Sequence, residues 1–260
     1  MQRIEKGKLV FYQSEALAPF THVVQAVTTR HGGVSPAPFD TLNLSAAVGD
    51  DPVNVQENWK RLHAALGLDA LATVDAKQAQ ADQVARITAD QRGTRIADVD
   101  ALITDVPGVP LLLRFADCVP ILLYDRAQRA IGIAHAGWRG TVGRVVTHTV
   151  VAMSEAFGTR PRDLMACICP SIGPCCYEIG SDVRARVEAV FPDTKELLVH
   201  ANGSIHLDLW EANAQQLRDL GVGQIEVAGI CTADHTQDLY SWRREQAQTG
   251  RFAALIALAP

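Results

Sequence analysis

The sequence predicts an α/β protein in which a mixed β-sheet core is layered with α-helices. Short apolar runs rich in β-branched residues, which are typical of buried strands, alternate along the chain with segments whose apolar residues recur at helical spacing. No Pro/Ser-rich linker, charge block or internal repeat divides the 260 residues. We therefore expect a single domain over residues 1–260.

The first clear element is a helix predicted over Pro52–Leu66. Asp51 precedes it as an N-cap, and proline occupies the first helical position, where its missing N–H removes no hydrogen bond. Val55 and Trp59 begin an apolar stripe along one helical face, and Gly67 follows the last residue of that stripe. Both ends of this helix are thus marked in the sequence.

The centre of the chain predicts three strands followed by a helix. Apolar runs at residues 109–113, 119–124 and 130–134 are separated by charged or turn residues, and their β-branched content favours strands over one long helix. Apolar residues then recur at helical spacing over residues 142–157, and Gly158 ends this run.

The C-terminal third continues the alternation of strands and helices. The pattern predicts strands over residues 164–169, 225–230 and 252–258, and helices over residues 182–191 and 208–220. Such interleaving is typical of a mixed sheet flanked by helices.

Composition excludes several functional classes. The chain has 24 Lys and Arg against 29 Asp and Glu, a net charge of -5, so it lacks the basic footprint of a nucleic-acid-binding protein. No apolar stretch approaches the roughly 20 residues of a membrane span, and the N-terminus lacks the apolar core of a signal peptide. We expect a cytoplasmic protein with no membrane or nucleic-acid partner, whose 6 cysteines are reduced.

The common catalytic signatures are missing from the sequence. It contains no GxxxxGK[ST] phosphate loop, no GxGxxG after a strand, no GxSxG nucleophile elbow and no HExxH zinc helix. The H-x-E and P-C-x-x-C signature of zinc nucleobase deaminases is also missing. Deamination would therefore need a different scaffold.

Polar residues flank two of the predicted strands. Cys118 begins one apolar strand and His135 follows the next, so an antiparallel hairpin through residues 125–128 would bring the two together. Such a pair can be a nucleophile with its base or two metal ligands. It can equally be a small buried hydrophobe beside a hydrogen-bonded core histidine. Arg139, which stands among glycines, adds a planar guanidinium group that can bind an anion beside the imidazole.

A cysteine-rich segment, CICPSIGPCCYE, covers residues 167–178. Its C-x-C and adjacent C-C spacings differ from the C-x₂₋₄-C knuckles of structural zinc sites, so we do not expect one zinc to be held here. Its Pro and Gly content predicts a rigid loop that lines a pocket with Cys176, Tyr177 and Glu178.

Two further segments offer arginines. TTRHGGVS places Arg30 among hydroxyls and glycines, which suits either an anion site or a plain loop. Near the C-terminus, Arg243, Arg244 and Arg251 could bind phosphate or form a solvated face.

Together these segments resemble the YfiH-like family, also described as laccase-domain or polyphenol oxidoreductase proteins. The resemblance covers nearly the whole chain, in family order, through TTRHGGVS, ADCVPILLYD, AIGIAHAGWRGTV, ICPSIGPCCYEIG and YSWRREQAQTGR. It implies a mixed sheet layered with helices, distantly similar to the catalytic domain of cytotoxic necrotizing factor. It also implies phosphorolysis of adenosine, inosine, guanosine and methylthioadenosine, with inorganic phosphate as co-substrate and adenosine deamination as a companion activity.

The resemblance implies a zinc held by a histidine of a KQxHG block, the cysteine of the ADC block and the histidine of the AHAGWRG block. The last two correspond to Cys118 and His135. This chain reads KQAQA at the first block, so Gln80 stands at the ligand histidine and Ala81 at the glycine. An amide oxygen is a poor zinc ligand. We expect zinc affinity to fall unless Asp82 or water takes the third position.

From this resemblance we expect Cys118 and His135 to be the catalytic pair. The residues expected to bind substrate are Arg30, Arg139, Cys176 and Glu178. Two alternatives stay open: a Cys/His hydrolase acting on a peptidoglycan precursor, since related proteins are described as peptidoglycan editing factors, and a metal-depleted protein of reduced activity. Copper is not expected, because the 8 histidines include no H-x-H pair.

Overall fold

A computed structural model describes residues 1–201 and 203–260 of the chain. Within them the strands form two mixed sheets and a small hairpin. In spatial order, the first sheet contains β1 (Gln2–Lys6), β2 (Leu9–Gln13), β3 (Val23–Thr28), β15 (Phe252–Leu258), β8 (Leu111–Phe115), β4 (Val74–Lys77) and β6 (Arg95–Ala97). The second contains β14 (Gln224–Val227), β11 (Leu164–Ile168), β9 (Val119–Asp125), β10 (Ala130–Ala136), β7 (Ala101–Thr104) and β5 (Val84–Arg86). The hairpin pairs β12 (Leu198–Ala201) with β13 (Ser204–Leu207).

The two sheets pack face to face between layers of helices. The helices are α1 (Pro52–Leu66), α2 (Trp138–Val142), α3 (Val145–Phe157), α4 (Ser181–Val190) and α5 (Leu209–Asp219). α1 covers the outer face of the first sheet, while α3 and α5 cover that of the second. The predicted α/β fold is confirmed, with one difference: the strands are divided between two sheets, which gives four layers.

Strand β9 shows why the central runs are apolar throughout. Val119, Ile121 and Leu123 face the helices, while Leu122 and Tyr124 face the other sheet. Alternate side chains of a strand point to opposite faces, so a strand covered on both sides has no polar face. The first sheet contains strands from both ends of the chain, which lie together in one α/β fold.

Most predicted elements are present with shifted ends. The α1 prediction is confirmed: the Asp51 side chain accepts a hydrogen bond from the Val53 N–H at 2.9 Å, and Gly67 ends the helix with φ of 69°. The helix predicted over residues 142–157 is wrong at its start. The helix there, α3, begins at Val145, and Val142 belongs to α2. The two helices are separate because Arg144 adopts a left-handed φ of 60° that no continuous helix allows.

The described helices are all too short or too polar to span a bilayer.

A buried carboxylate ties the N-terminal strands to the C-terminal segment. Asp238 accepts hydrogen bonds from Arg3 Nε at 2.9 Å and from the Tyr12 hydroxyl at 2.8 Å, and it lies 2.7 Å from His31 Nε2. Burial alone would raise the pKa of Asp238, but these partners lower it to about 2.

Asp238→Asn is expected to lower the free energy of unfolding at neutral pH by about 2 kcal/mol, the typical value of hydrogen bonds to a charged group. An unfolded aspartate has a pKa of about 3.9, whereas that of Asp238 is about 2. The carboxylate therefore stabilises the fold fully above pH 4 or so, and this contribution is lost as the pH falls toward 2. Urea unfolding of both proteins from pH 7 to pH 2 checks this. A difference that stays constant over this range would contradict it.

Candidate active site

A cavity of about 790 Å³ opens where β8 and β10 end and β9 begins. Its walls come from segments far apart in the chain: the end of β4, the β8–β9 connection, the start of α2, Tyr177 and the C-terminal loop. Cys118, His135, Gln80 and Arg139 all line it. The structure therefore brings together four of the residues that the sequence singles out.

Cys118 and His135 meet through the predicted hairpin. β9 and β10 pair antiparallel, with His135 opposite Pro120, and Cys118 lies directly before β9. The Cys118 thiol approaches the backbone just after β10, and the thiol and the His135 imidazole both line the cavity. Gly137 permits this approach, since a Cβ there would lie 2.9 Å from the Cys118 Sγ.

Asp100 is the residue that organises this part of the pocket. Its fully buried carboxylate lies 2.8 Å from His135 Nδ1. It also accepts hydrogen bonds from the backbone N–H groups of Ala79, Gln80 and Ala81 at 3.1, 3.1 and 2.8 Å. One carboxylate thus orients the imidazole and holds the turn that carries Gln80. Nothing in the local sequence marks Asp100, which stands 35 residues before His135.

The surroundings of His135 favour its protonated form. Burial alone would lower the pKa of His135, but the charge of Cys118 and the hydrogen bond to Asp100 outweigh it and raise the pKa to about 9. Burial acts to raise the pKa of Asp100. The hydrogen bonds from His135 and from the backbone N–H groups outweigh burial and lower this pKa below its usual value. His135 and Asp100 therefore form a hydrogen-bonded pair, and Cys118 lines the same cavity as His135.

Gln80 lies at the mouth of the pocket in a left-handed turn, with φ of 56°. Its Oε1 accepts a hydrogen bond from Arg139 Nη1 at 3.4 Å. Asp82, the residue expected to replace the missing ligand, does not share a strand with Gln80, because β4 ends at Lys77 and the next strand begins at Val84. Asp82 instead pairs with His148 at 3.3 Å.

These donors do not fit the three-ligand zinc of catalytic sites. Cys118 and His135 supply a thiol and an imidazole, but the third position holds an amide that bonds to Arg139. Over residues 1–201 and 203–260, no third His, Cys, Asp or Glu completes a metal-binding group with this pair. We therefore derive no chemical step through a metal in this pocket.

Positive charge is concentrated on the pocket walls. Arg95 and Arg114 are both paired with the one carboxylate of Asp75, so one of their two positive charges is compensated. Arg243 and Arg251, in contrast, donate only to backbone carbonyls: Arg243 Nη1 to Glu178 at 3.0 Å, and Arg251 Nη1 to Thr249 and Gly250 at 3.1 and 2.9 Å.

Arg139, Arg243 and Arg251 therefore carry charges that no carboxylate in the described part of the chain neutralises by a salt bridge. Burial lowers the pKa of Arg251, and the charges of Cys118 and Asp117 act against this. Arg251 and Cys118 line the same cavity. Guanidinium groups of this kind are suited to binding phosphate bidentately. The sequence leaves the roles of Arg243 and Arg251 open.

Aromatic side chains supply the apolar part of the lining. The Phe115 ring lies 5.3 Å from the His135 ring, and Trp138 stacks under Arg139 at 4.4 Å. Tyr177 and Trp242 complete the aromatic lining. Flat rings of this kind provide stacking surfaces for a planar base.

Arg30 lies outside this pocket. Its guanidinium donates to the Asp40 carbonyl at 2.8 Å and to the Thr236 carbonyl at 2.7 Å, and it pairs with Glu245 at 3.0 Å. It lines a separate cavity of about 250 Å³. Since its donors are already used within the chain, its position indicates that it clamps two loops together.

Cys176 and Glu178 are not part of the pocket lining either, although Tyr177 between them is. Glu178 accepts a hydrogen bond from the Ser204 hydroxyl at 2.9 Å. Cys176 points to Asp234, with 3.2 Å from Sγ to Oδ1. Burial and this carboxylate raise the pKa of Cys176 to about 12. Successive side chains of the segment thus face different sides.

Comparisons with known proteins agree over nearly the whole chain. Residues 24–259 match a family model described as multi-copper polyphenol oxidoreductase laccase. A purine nucleoside phosphorylase of Deinococcus radiodurans is 42% identical over 93% of this chain and 91% of its own length. The purine nucleoside phosphorylase YfiH of Escherichia coli is 35% identical over 91% and 94%. The crystal structure of YlmD from Geobacillus stearothermophilus superposes with a TM-score of 0.92 at 34% identity, covering 99% of this chain and 98% of that one.

Proposed function

The chain belongs to the YfiH-like, laccase-domain family, and on that premise we propose that it is a purine nucleoside phosphorylase. Its substrates are adenosine, inosine, guanosine and methylthioadenosine, with inorganic phosphate as co-substrate. The abundance of free thiols agrees with a reducing, cytoplasmic location.

The observation that carries this proposal is the make-up of the 790 Å³ pocket. One wall presents Arg243 and Arg251, which have no carboxylate partner among residues 1–201 and 203–260, as a phosphate dianion needs. Aromatic rings offer stacking surfaces for a purine. Cys118 and His135 lie within the same cavity. An anion, a planar base and a proton donor can therefore be held close together.

In phosphorolysis a phosphate oxygen forms a bond to C1′ of the ribose while the C1′–N9 bond breaks, and its electron pair leaves with the purine. The barrier lies in the departure of the base from an oxocarbenium-like sugar, so an oriented phosphate contributes most. We assign this orientation to Arg243 and Arg251, in place of Arg30, with Arg139 at the pocket mouth. His135, protonated at neutral pH because its pKa is about 9, supplies the proton that the departing base takes up.

Adenosine deamination, the companion activity, needs an activated water rather than phosphate. A complete zinc site, with three protein ligands and one open position, would supply such a water. With Gln80 at the third position, we propose that this chain holds zinc weakly in the pocket and deaminates adenosine poorly.

Arginine substitutions test the proposed function. Release of free base from adenosine or inosine is expected to require phosphate and to yield ribose 1-phosphate in equal amount. Arg243→Met or Arg251→Met is expected to lower kcat/KM for phosphate at least about tenfold, because each removes charged hydrogen bonds. Arg244→Met is the matched control, since Arg244 adjoins Arg243 but does not line the pocket. Base release that proceeds equally without phosphate would overturn the proposal.

A Cys/His hydrolase is a second candidate because Cys118 and His135 line one cavity and Asp100 is hydrogen-bonded to His135. Cys118 would act as the nucleophile on a peptidoglycan precursor. This alternative predicts hydrolysis that needs no phosphate, persists with a metal chelator present and disappears in Cys118→Ala. The phosphate requirement thus separates the two candidates.

A further inference from the structure

A second group of potential metal ligands lies outside the pocket. It consists of Cys175, Cys176, Cys231 and Asp234, which we call the thiol cluster. One donor atom from each of the four lies within 4.8 Å of the others. Cys175 Sγ is 3.0 Å from Asp234 Oδ2, and Cys176 Sγ is 3.2 Å from Asp234 Oδ1. The two adjacent cysteines therefore point to the same carboxylate, contrary to what their spacing predicts.

Backbone contacts hold the two segments of the thiol cluster together. Ser171 and Cys231 form a parallel β-bridge, which joins the loop after β11 to the segment before Asp234. The Gly173 N–H donates to Cys231 Sγ at 3.3 Å, and the Asp234 N–H donates to the Cys231 carbonyl at 3.3 Å. The donors thus come from two segments whose positions the fold already determines, as a preorganised site requires.

We propose that the thiol cluster is a zinc site with three thiolate ligands and one carboxylate. Zinc prefers tetrahedral sulfur-rich coordination, and Zn–S bonds of about 2.3 Å would place the sulfurs roughly 3.8 Å apart. The donors already lie within 4.8 Å of one another, so a small contraction completes the geometry. Hard cations are poor candidates, because magnesium and calcium select oxygen ligands.

The charges around the thiol cluster can be balanced. As zinc binds, the three thiols lose their protons to solvent, and each sulfur forms a bond to the metal. Three thiolates and one carboxylate on Zn²⁺ leave a net charge of −2. His235 and Arg244 are close enough to lower the pKa of Asp234, after the larger effect of its hydrogen bonds to Cys175 and Cys176. Positive charge therefore lies nearby.

Zinc here would also hold the wall of the active pocket. Tyr177, the residue after Cys176, lines the pocket, and Arg243 Nη1 donates to the carbonyls of Cys176 and Glu178 at 3.5 and 3.0 Å. A metal that fixes the thiol cluster thereby fixes one side of the anion-binding wall. This role is structural, and it is separate from the Cys118 and His135 pair.

The test is zinc binding by the full chain carrying Cys118→Ala, which removes a donor from the pocket. Under reducing conditions we expect one zinc per chain, and with Co²⁺ as the probe a thiolate-to-metal charge-transfer band. Adding Cys175→Ser or Asp234→Asn is expected to weaken binding at least about tenfold, the lower end of losses seen even for outer-shell changes. Glu178→Gln is the matched control, since this exposed carboxylate lies beside the cluster without belonging to it.

Two outcomes would overturn this inference. In one, the Cys118→Ala chain takes up no zinc and shows no thiolate band with Co²⁺. In the other, it takes up zinc but neither Cys175→Ser nor Asp234→Asn weakens binding. Both residues are exposed, so these variants are expected to fold. The readouts involve no turnover, so failure here is distinguishable from failure of the proposed phosphorylase activity.

Discussion

Gln80→His is expected to raise the zinc affinity of the pocket about 100-fold. Structural zinc contributes about 10–16 kcal/mol over four ligands, and the histidine supplies the share of one ligand. Gln80 lines the same cavity as Cys118 and His135, and its backbone N–H is held by Asp100 at 3.1 Å. An imidazole there would add a third nitrogen or sulfur ligand and leave the fourth position for water. We also expect adenosine deamination to increase, because a complete zinc site would supply the activated water that this reaction needs.

The measurement is zinc titration against a competing chelator, together with ammonia release from adenosine. Both proteins carry Cys175→Ser, which weakens zinc binding by the thiol cluster equally in both, so the difference between them reports on the pocket. Asp82→His is the matched control: it adds a histidine two residues away, at a side chain that pairs with His148 outside the pocket. Equal zinc affinity with Gln80 and with His at this position would refute the prediction.

Asp100→Asn is expected to destabilise the protein by about 3 kcal/mol, the cost of breaking a buried charged network. The carboxylate accepts three backbone N–H groups and pairs with His135. The asparagine amide has one acceptor oxygen, and its NH₂ group can only donate. At least one of the groups that now donate to Asp100 is therefore left without a partner. The pKa of His135 should fall as well, because its hydrogen bond to Asp100 raises it.

Urea unfolding and the NMR titration of His135 measure these two effects. Because the pKa of Asp100 is lowered in the fold, the stability difference between wild type and Asp100→Asn is present at neutral pH and shrinks below about pH 4. Asp98→Asn is the control: Asp98 is exposed with φ of 55°, a conformation that asparagine tolerates well, and a change within about 0.5 kcal/mol is expected. If Asp100→Asn were as stable as this control, Asp100 would not organise the pocket.

Much of the architecture follows from signals that act over a few residues. Asp51, the proline after it and Gly67 mark both ends of α1, because caps act on the nearest backbone groups. The β9–β10 hairpin is equally local, and it brings Cys118 and His135 together as the sequence predicts. The resemblance to a known family identified the change at Gln80, which no local rule would reveal.

What the sequence left undecided depends on contacts between distant residues. Asp100 contacts His135, which lies 35 residues further along the chain, and Cys175 contacts Asp234, which lies 59 residues further along. β15 lies between β3 and β8 in the first sheet, a placement that no short window of sequence contains. Arg243 and Arg251 could not be told from surface arginines, because their lack of a carboxylate partner in the described residues is a property of the surroundings. Burial, charge pairing and side-chain direction arise only when the layers pack, and they decide which polar residues share a site.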